Sequence, residues 1–260
     1  MQSIKEYWYN EKANYMDARE HVALMDKTYK EEIAEAIQNS IIYDGYKILI
    51  KPEPIYNTEI TVQDADTVSA ILEEKSDNMA VLNFAAYKTA GGAFLRGSRT
   101  QEGSLCHESF LYNVLIGCHE YYMGNGQGAN KGLYYNRALF SPNIKFIREG
   151  HAKVCDVLTC SSPNKAAAEK FHYIVTKEEN TQAIQSRIEF ILGILAEQQK
   201  EILILGAFGC GLFEQNPEEV ATIFKETLNT SYKNIFKKVI FAIPDGVNNN
   251  LKTFQKVFSL

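Results

Sequence analysis

The chain has 260 residues, 45% of them hydrophobic, and a formal net charge of −5 at pH 7. This length allows one sizeable core, and the acidic balance argues against a nucleic-acid backbone as the main ligand. No apolar run is long enough to span a bilayer and the first residues lack a signal core, so we expect a cytoplasmic protein without membrane contact. Five widely spaced cysteines without a Cys-x-x-Cys pair predict reduced, buried thiols and no metal site.

The periodicity of apolar residues predicts alternating helices and strands within one domain, 1–260, whose residues 1–40 form a helical N-terminal extension. In chain order we expect strands at 46–50 and 59–62, a helix from 64, a strand at 79–84 and a helix over 104–115. A long loop at 121–137, either a lid or a simple mobile surface, comes next. It is followed by strands at 143–148 and 154–160, a helix over 178–199, a strand at 201–205, a helix over 217–229 and a strand at 238–243. This order predicts an α/β fold, a three-layer α/β/α sandwich with a mixed sheet.

A glycine-rich loop follows the predicted strand 79–84 and ends in the pair Gln101-Glu102. Ligands of open α/β sheets bind at the carboxyl ends of strands, and Gly91 and Gly92 let backbone N–H groups approach an anion closely. We therefore expect a ligand loop here. The nearby cations Lys88, Arg96 and Arg99 are either solvated loop charges or neighbours of a phosphate, and both interpretations stay open.

A second glycine loop follows the strand 201–205, with glycines at 206, 209 and 211. Asn216 is a good helix N-cap, Pro217 suits the first helical position, and Glu219 occupies the capping-box position. Because the capping side chains would occupy the N–H groups of the helix, we expect the loop amides to bind a diphosphate.

The order of these motifs resembles the macrodomain fold of the bacterial-type poly(ADP-ribose) glycohydrolases over most of the chain. The resemblance implies an ADP-ribose site without a cofactor, in which Asn83 lies near the distal ribose and Phe208 or Phe213 forms an apolar wall. The partner would be ADP-ribose or an ADP-ribosylated macromolecule. The residues for which ligand contact is implied are Asn83, Gly91, Gly92, Ala93, Gln101, Gly206, Phe208, Gly209, Cys210, Gly211, Leu212 and Phe213.

This sequence departs from the family pattern of three glycines followed by Gln-Glu-Glu. Ala93 replaces the third glycine, and because alanine tolerates positive φ poorly, a different turn is expected there. Gly103 replaces the second glutamate, the usual proton donor, so Glu102 is the one catalytic residue implied. We therefore expect a mono-ADP-ribosyl hydrolase rather than a polymer-degrading enzyme. The alternatives are an ADP-ribose reader without turnover and a hydrolase of a free ADP-ribose derivative; the linkage, the carrier and the oligomeric state stay open.

Other polar side chains near these motifs have two interpretations each. Glu108 is either a substitute for the lost glutamate or part of a solvated helix face. Asp156 and Asp245 either contact adenine or cap a turn, and His107 is either packed or directed at the site. Cys210 is interpreted as a small buried side chain rather than a nucleophile.

Overall fold

The computed structural model describes residues 18–45, 53–98, 100–126, 129–246 and 248–259. The helices are α1 (Ala18–Thr28), α2 (Lys30–Gln38), α3 (Thr67–Glu73), α4 (Gln101–His107), α5 (Leu111–Gly117), α6 (His119–Met123), α7 (Lys165–Lys170), α8 (Lys177–Glu197), α9 (Pro217–Asn229) and α10 (Asn250–Phe258). The strands are β1 (Ile41–Asp44), β2 (Glu59–Gln63), β3 (Met79–Phe84), β4 (Arg137–Arg148), β5 (His151–Cys160), β6 (Ile202–Leu205) and β7 (Lys238–Ala242). Two short 3-10 turns lie at Phe94–Arg96 and Ala129–Gly132.

The seven strands form one mixed sheet in the order β1-β4-β5-β3-β6-β7-β2. β1, β4 and β5 pair antiparallel, whereas β5, β3, β6, β7 and β2 run parallel to one another. The carboxyl ends of these five parallel strands therefore share one edge of the sheet. The predicted α/β fold with a mixed sheet is confirmed.

Apolar side chains cover both faces of the sheet. On one face α8, α9 and α10 contribute buried residues such as Ile191, Phe224 and Phe254. On the other face α1 to α5 contribute residues such as Val68 and Leu115. Because burying one such side chain stabilises by about 1.5–3 kcal/mol, the two helical layers hold the sheet, and with it the strand ends, in a fixed position.

Several predicted elements differ from the observed ones. The strand predicted at 46–50 lies outside the described residues, while β1 was not predicted. The region 121–137 begins in α6 and ends at the first residue of β4, so its interpretation as one long loop is wrong at both ends. The helix predicted over 104–115 is broken because the Ser109 hydroxyl bonds the Leu105 carbonyl and the backbone of Ser109 forms a bridge to Phe146 of β4.

The helix starts show which local predictions were correct. The Asn216 side chain accepts the N–H groups of Glu218 and Glu219, so the predicted cap is confirmed. The predicted capping box is wrong, because the Glu219 carboxylate accepts the Thr181 hydroxyl instead of reaching back.

Two predicted acids serve the scaffold. Glu108 is buried and paired with Arg148, which also pairs with Asp66, so neither a catalytic role nor a solvated helix face fits it. Asp156 lies beside Ala80, near the start of β3, and its carboxylate is 2.7 Å from the Lys200 amine. It therefore lies toward the amino-terminal end of β3, away from the carboxyl ends of the parallel strands. Of its two interpretations, contact with adenine does not fit this position, and its carboxylate instead accepts the Asn143 N–H at 2.8 Å.

Candidate active site

The two glycine loops follow neighbouring parallel strands, β3 and β6. The ring centroids of Phe84, the last residue of β3, and Phe208 of the second loop lie 5.6 Å apart. A Cβ added to Gly206 would lie 3.0 Å from the Phe84 ring, so glycine allows this close approach. The two loops thus face one another at the carboxyl edge of the sheet.

The first loop turns through two left-handed residues, Gly91 with φ +64° and Gly92 with φ +57°. A Cβ at Gly91 would lie 2.7 Å from the Tyr112 ring, so both conformation and space require glycine there. Ala93 has φ −102°, an ordinary value for an L-residue. Ala93 is therefore unstrained in this turn, and the expectation that it forces a different turn from the family's remains a prediction.

The start of α4 is attached directly to β3. Thr100 caps the helix by accepting the Gly103 N–H, and the side-chain amide of Gln101 donates to the Leu82 carbonyl at 2.8 Å. The Gln101 side-chain oxygen accepts the Phe84 N–H at 2.9 Å. Gln101 therefore fixes the position of Glu102, and its contact with a ligand remains a prediction.

Glu102 lies beneath the first loop with only 2% of its surface exposed. Its carboxylate accepts the Ala86 N–H at 2.9 Å, and a Cβ at Gly92 would approach the carboxylate at 3.0 Å. Burial raises the pKa of Glu102 from 4.5 to about 7, although bonds from Ala86, Asn83 and Gly91 oppose the rise. Since this pKa is near neutrality, the side chain can either donate or accept a proton.

Asn83 holds the carboxylate from the strand side. Its side-chain amide donates to Glu102 at 3.4 Å and to the Thr159 hydroxyl at 3.2 Å. Its Oδ1 atom is buried and has no hydrogen-bond partner among the described residues. A buried acceptor without a hydrogen-bond partner lowers the stability of the fold. Such an atom calls for an explanation, and a donor group of a bound ligand would supply the missing partner.

Gly103 leaves no room for a second acid in this loop conformation. A Cβ at this position would lie 2.4 Å from the backbone carbonyl oxygen of Ser98. Since that oxygen belongs to the main chain, a glutamate could enter only if the loop moved. A second acid at position 103 would therefore require another path of this loop.

The second loop presents backbone amides. Gly209 has φ +78°, and a Cβ there would lie 2.2 Å from the Ser162 hydroxyl oxygen, so the loop packs against the end of β5. Within the described ranges, four consecutive or nearly consecutive amides donate no backbone hydrogen bond, those of Gly209, Gly211, Leu212 and Phe213. Unpaired N–H groups in such a loop are suited to bind phosphate oxygens.

The side chains of this loop separate into buried and accessible ones. Phe208 is 1% exposed and belongs to the core, whereas Phe213 is half-buried, so Phe213 is the better candidate for a ligand wall. Burial raises the pKa of Cys210 to about 12, which keeps its thiol neutral. His107 packs against Phe94, with ring centroids 4.6 Å apart.

The tyrosine-rich segment supplies residues that we did not predict for the site. The Tyr87 and Tyr134 rings stack at 4.0 Å, and the Asn125 side chain donates to the Tyr87 carbonyl. Buried Arg187 of α8 donates to the backbone carbonyls of Leu133 and Ser161. The high content of Tyr, Asn and Gly at 121–137 indicated a loop near the site, but it did not predict these contacts.

No group of three or more His, Cys, Asp or Glu lies within the described residues in an arrangement that could hold a metal ion. Of the helices in the described part of the chain, none is both long enough and apolar enough to cross a membrane.

Comparisons with known proteins agree with this geometry. The model of the family "Microbial-type PARG, catalytic domain" matches residues 9–149. Poly(ADP-ribose) glycohydrolase from Thermomonospora curvata is 25% identical, with a TM-score of 0.83 over 93% of this chain and 97% of that one. The Deinococcus radiodurans enzyme in complex with ADP-ribose is 27% identical, with a TM-score of 0.76 over 88% and 97% of the two chains. No curated protein gave a significant match.

A mixed sheet with two opposed glycine loops at its carboxyl edge and a buried acid beneath the first defines a macrodomain-like protein of the glycohydrolase type. The family match then makes the assignment specific. The chain belongs to the microbial-type PARG family.

Proposed function

We propose that this chain binds ADP-ribose and hydrolyses the bond to its anomeric carbon in mono-ADP-ribosylated substrates. The observation that carries the proposal is buried Glu102, with a pKa of about 7, placed under the first glycine loop and opposite the unpaired amides of the second. The loop amides would hold the diphosphate, and Asn83 and Glu102 would meet the distal ribose. Family membership and the ADP-ribose complex of the similar D. radiodurans enzyme support this assignment.

The preference for single ADP-ribosyl groups follows from the one remaining acid. Cleavage at an anomeric carbon passes through an oxocarbenium-like transition state and usually employs two carboxylates. A ribose oxygen that leaves from a polymer needs a proton, and the usual donor is replaced by Gly103, with the Ser98 carbonyl closing its place. A leaving guanidine nitrogen or a phosphate does not need an acid at the same position.

Replacing Glu102 by glutamine tests the catalytic assignment. We expect kcat on a mono-ADP-ribosylated substrate to fall by roughly 10²–10⁴-fold, the usual contribution of general acid–base catalysis. Because the glutamine side chain keeps an amide oxygen for the Ala86 N–H, ADP-ribose affinity measured by calorimetry should change little. Glu178→Gln, at an exposed position in the first turn of α8, is the matched control.

The same assay distinguishes the other functions. Unchanged turnover in Glu102→Gln would remove Glu102 from the mechanism. Tight ADP-ribose binding by the wild type, without release from arginine-, serine- or glutamate-linked substrates, would identify a reader. Turnover confined to small ADP-ribose derivatives would identify a hydrolase of free metabolites.

A further inference from the structure

The peptide unit between Ala85 and Ala86 connects the end of β5 to the Glu102 carboxylate. Its N–H group, that of Ala86, donates to Glu102 at 2.9 Å, and its carbonyl, that of Ala85, accepts the Ser161 hydroxyl at 2.8 Å. The two bonds act on one planar unit, because the C=O and N–H groups of a peptide bond are held rigidly together. Ser161 is therefore two hydrogen bonds away from the proposed catalytic carboxylate.

Ser161 reaches this peptide because the ladder between β3 and β5 ends here. Phe84 pairs with Cys160, and the Ala85 N–H donates to the Cys160 carbonyl at 3.2 Å. The next acceptor of this segment, the Ala85 carbonyl, is bonded by the side chain of Ser161. Since Ser161 is only 1% exposed, solvent does not compete for this hydroxyl.

A buried cation holds the main chain of Ser161 from the other side. The guanidinium of Arg187 donates to the Ser161 carbonyl and, at 2.8 Å, to the side-chain oxygen of Asn136. Hydrogen bonds from a charged donor are roughly twice as strong as those between neutral groups. The Ser161 backbone is therefore fixed, and its hydroxyl is kept in place beside the Ala85 carbonyl.

A hydrogen bond to the carbonyl of a peptide strengthens the donor at its other end. When the Ala85 carbonyl accepts the Ser161 hydroxyl, the peptide is polarised, and the bond from the Ala86 N–H to a carboxylate gains about 10–30%. Burial raises the pKa of Glu102 to about 7, and the bond from Ala86 is the first of those that oppose the rise. The Ser161 hydroxyl therefore favours the ionised form of Glu102.

We propose that Ser161 is a positioning residue for Glu102, because its hydroxyl orients and polarises the peptide that holds the carboxylate beneath the first glycine loop. Ser161 acts through the main chain and not by contact with the substrate. Its effect on turnover rests on the proposed function, in which Glu102 is the catalytic group. Its effect on the Glu102 carboxyl depends only on the folded chain and can be measured without a substrate.

The other ionisable groups around Glu102 keep a constant charge near neutral pH. Burial raises the pKa of Cys106, on the same helix, and the pKa values of Tyr121 and Tyr122 of α6, so these three groups stay neutral. Arg187 of α8, on the β5 side of Tyr121, stays positively charged, as arginine does in proteins. A change in the titration of Glu102 on substitution of Ser161 therefore reports on the connecting peptide.

The test follows the Glu102 carboxyl directly by NMR. In protein with carbon-13 at the glutamate carboxyl groups, the Glu102 signal is identified by its absence from Glu102→Gln and is then followed against pH. For Ser161→Ala we expect a Glu102 pKa about 0.3 or more above that of the wild type, because the peptide loses the bond that polarises it. Ser161→Cys, which is nearly the same shape but a weaker donor, should give an intermediate value.

The matched control removes another buried serine hydroxyl. Ser141 of β4 is fully buried and accepts the Ser40 hydroxyl at 3.0 Å. Ser141→Ala should therefore leave the titration of Glu102 as it is in the wild type.

Turnover gives a second readout. The midpoint of the pH profile of kcat/KM on a mono-ADP-ribosylated peptide should move in Ser161→Ala in the same direction as the Glu102 pKa. A purely structural role of Ser161 would lower kcat/KM at every pH and leave this midpoint unchanged.

An unchanged Glu102 pKa in Ser161→Ala, or an equal change in Ser141→Ala, would overturn the inference. If Ser161→Ala does not fold, Ser161→Cys decides, and a wild-type Glu102 pKa in that variant would overturn it. A Glu102 pKa that responds to Ser161 in a protein that cleaves no ADP-ribosylated substrate would support the positioning of Glu102 and reject the proposed function.

Discussion

Glu102 is a carboxyl group under two opposing influences. Burial disfavours its charge and raises its pKa to about 7, while the Ala86 amide and the Asn83 side chain stabilise the ionised form. Its neighbours Cys106, Tyr121 and Tyr122 also have raised pKa values because of burial, so they remain neutral when Glu102 titrates. Of these four neighbouring groups, Glu102 is therefore the one that changes charge near pH 7.

The raised pKa of Glu102 predicts a pH-dependent stability difference. A carboxyl whose pKa is higher in the folded state contributes most below its unfolded value of 4.5, and this contribution is lost as pH rises to about 7. Relative to the wild type, Glu102→Gln should therefore gain about 3 kcal/mol of unfolding free energy across that window. Denaturant titrations of both proteins at several pH values measure the difference.

Because glutamine does not titrate, the pH-dependent difference between Glu102→Gln and the wild type reports on the Glu102 carboxyl alone. Glu178→Gln, which removes an exposed carboxyl, should show no such trend. A constant difference between Glu102→Gln and the wild type at all pH values would mean that the Glu102 carboxyl is solvated.

At the level of elements, the sequence predicted features that depend on adjacent residues and did not predict contacts between distant segments. The cap at Asn216 is a local signal, and it was interpreted correctly because helix capping depends on adjacent residues. That the glycines before it bind a diphosphate remains a prediction. The break in the helix after Glu108 involves the Ser109 hydroxyl and also pairing with β4, and no local pattern indicates this distant pairing. The contact of Tyr87 with Tyr134 was missed for the same reason.

Replacing Gly209 by alanine tests the geometry of the second loop. The positive φ and the 2.2 Å approach to the Ser162 hydroxyl both oppose a side chain, so we expect a loss of roughly 1–3 kcal/mol of stability. Gly211→Ala should stay within about 0.5 kcal/mol, because nothing lies within 4 Å of a Cβ at that position. Thermal unfolding of both variants measures the contrast. Equal effects would mean that the packing of Gly209 on Ser162 does not constrain the loop.

At the scale of the whole molecule, the class of fold follows from the alternation of helices and strands, whereas the strand order does not. That order brings the ends of β3, β5 and β6 together, although their residues are widely separated in sequence. A buried network also joins distant elements: the Arg148 guanidinium bonds Asp66 at the start of α3 at 2.8 Å and Glu108 after α4 at 2.7 Å. Burial alone would raise the pKa of Asp66, but Arg148 lowers it.

Replacing Arg148 by methionine should destabilise the entire fold. Two buried carboxylates would lose their partner, which typically costs about 3–5 kcal/mol. Lys256→Met removes an exposed pair with Glu218 and should cost at most about 1 kcal/mol. Urea unfolding measures both changes. A cost for Arg148→Met as small as that for Lys256→Met would show that the network adds nothing to stability.

The lack of room for a side chain at Gly103 limits the substitutions that this position accepts. Glutamate at position 103 would place its Cβ against the main-chain carbonyl oxygen of Ser98. The main chain at Ser98 would have to adopt another path to make room for the side chain. A second acid at position 103 therefore requires the substitution and a different loop path together, and the substitution alone is not enough.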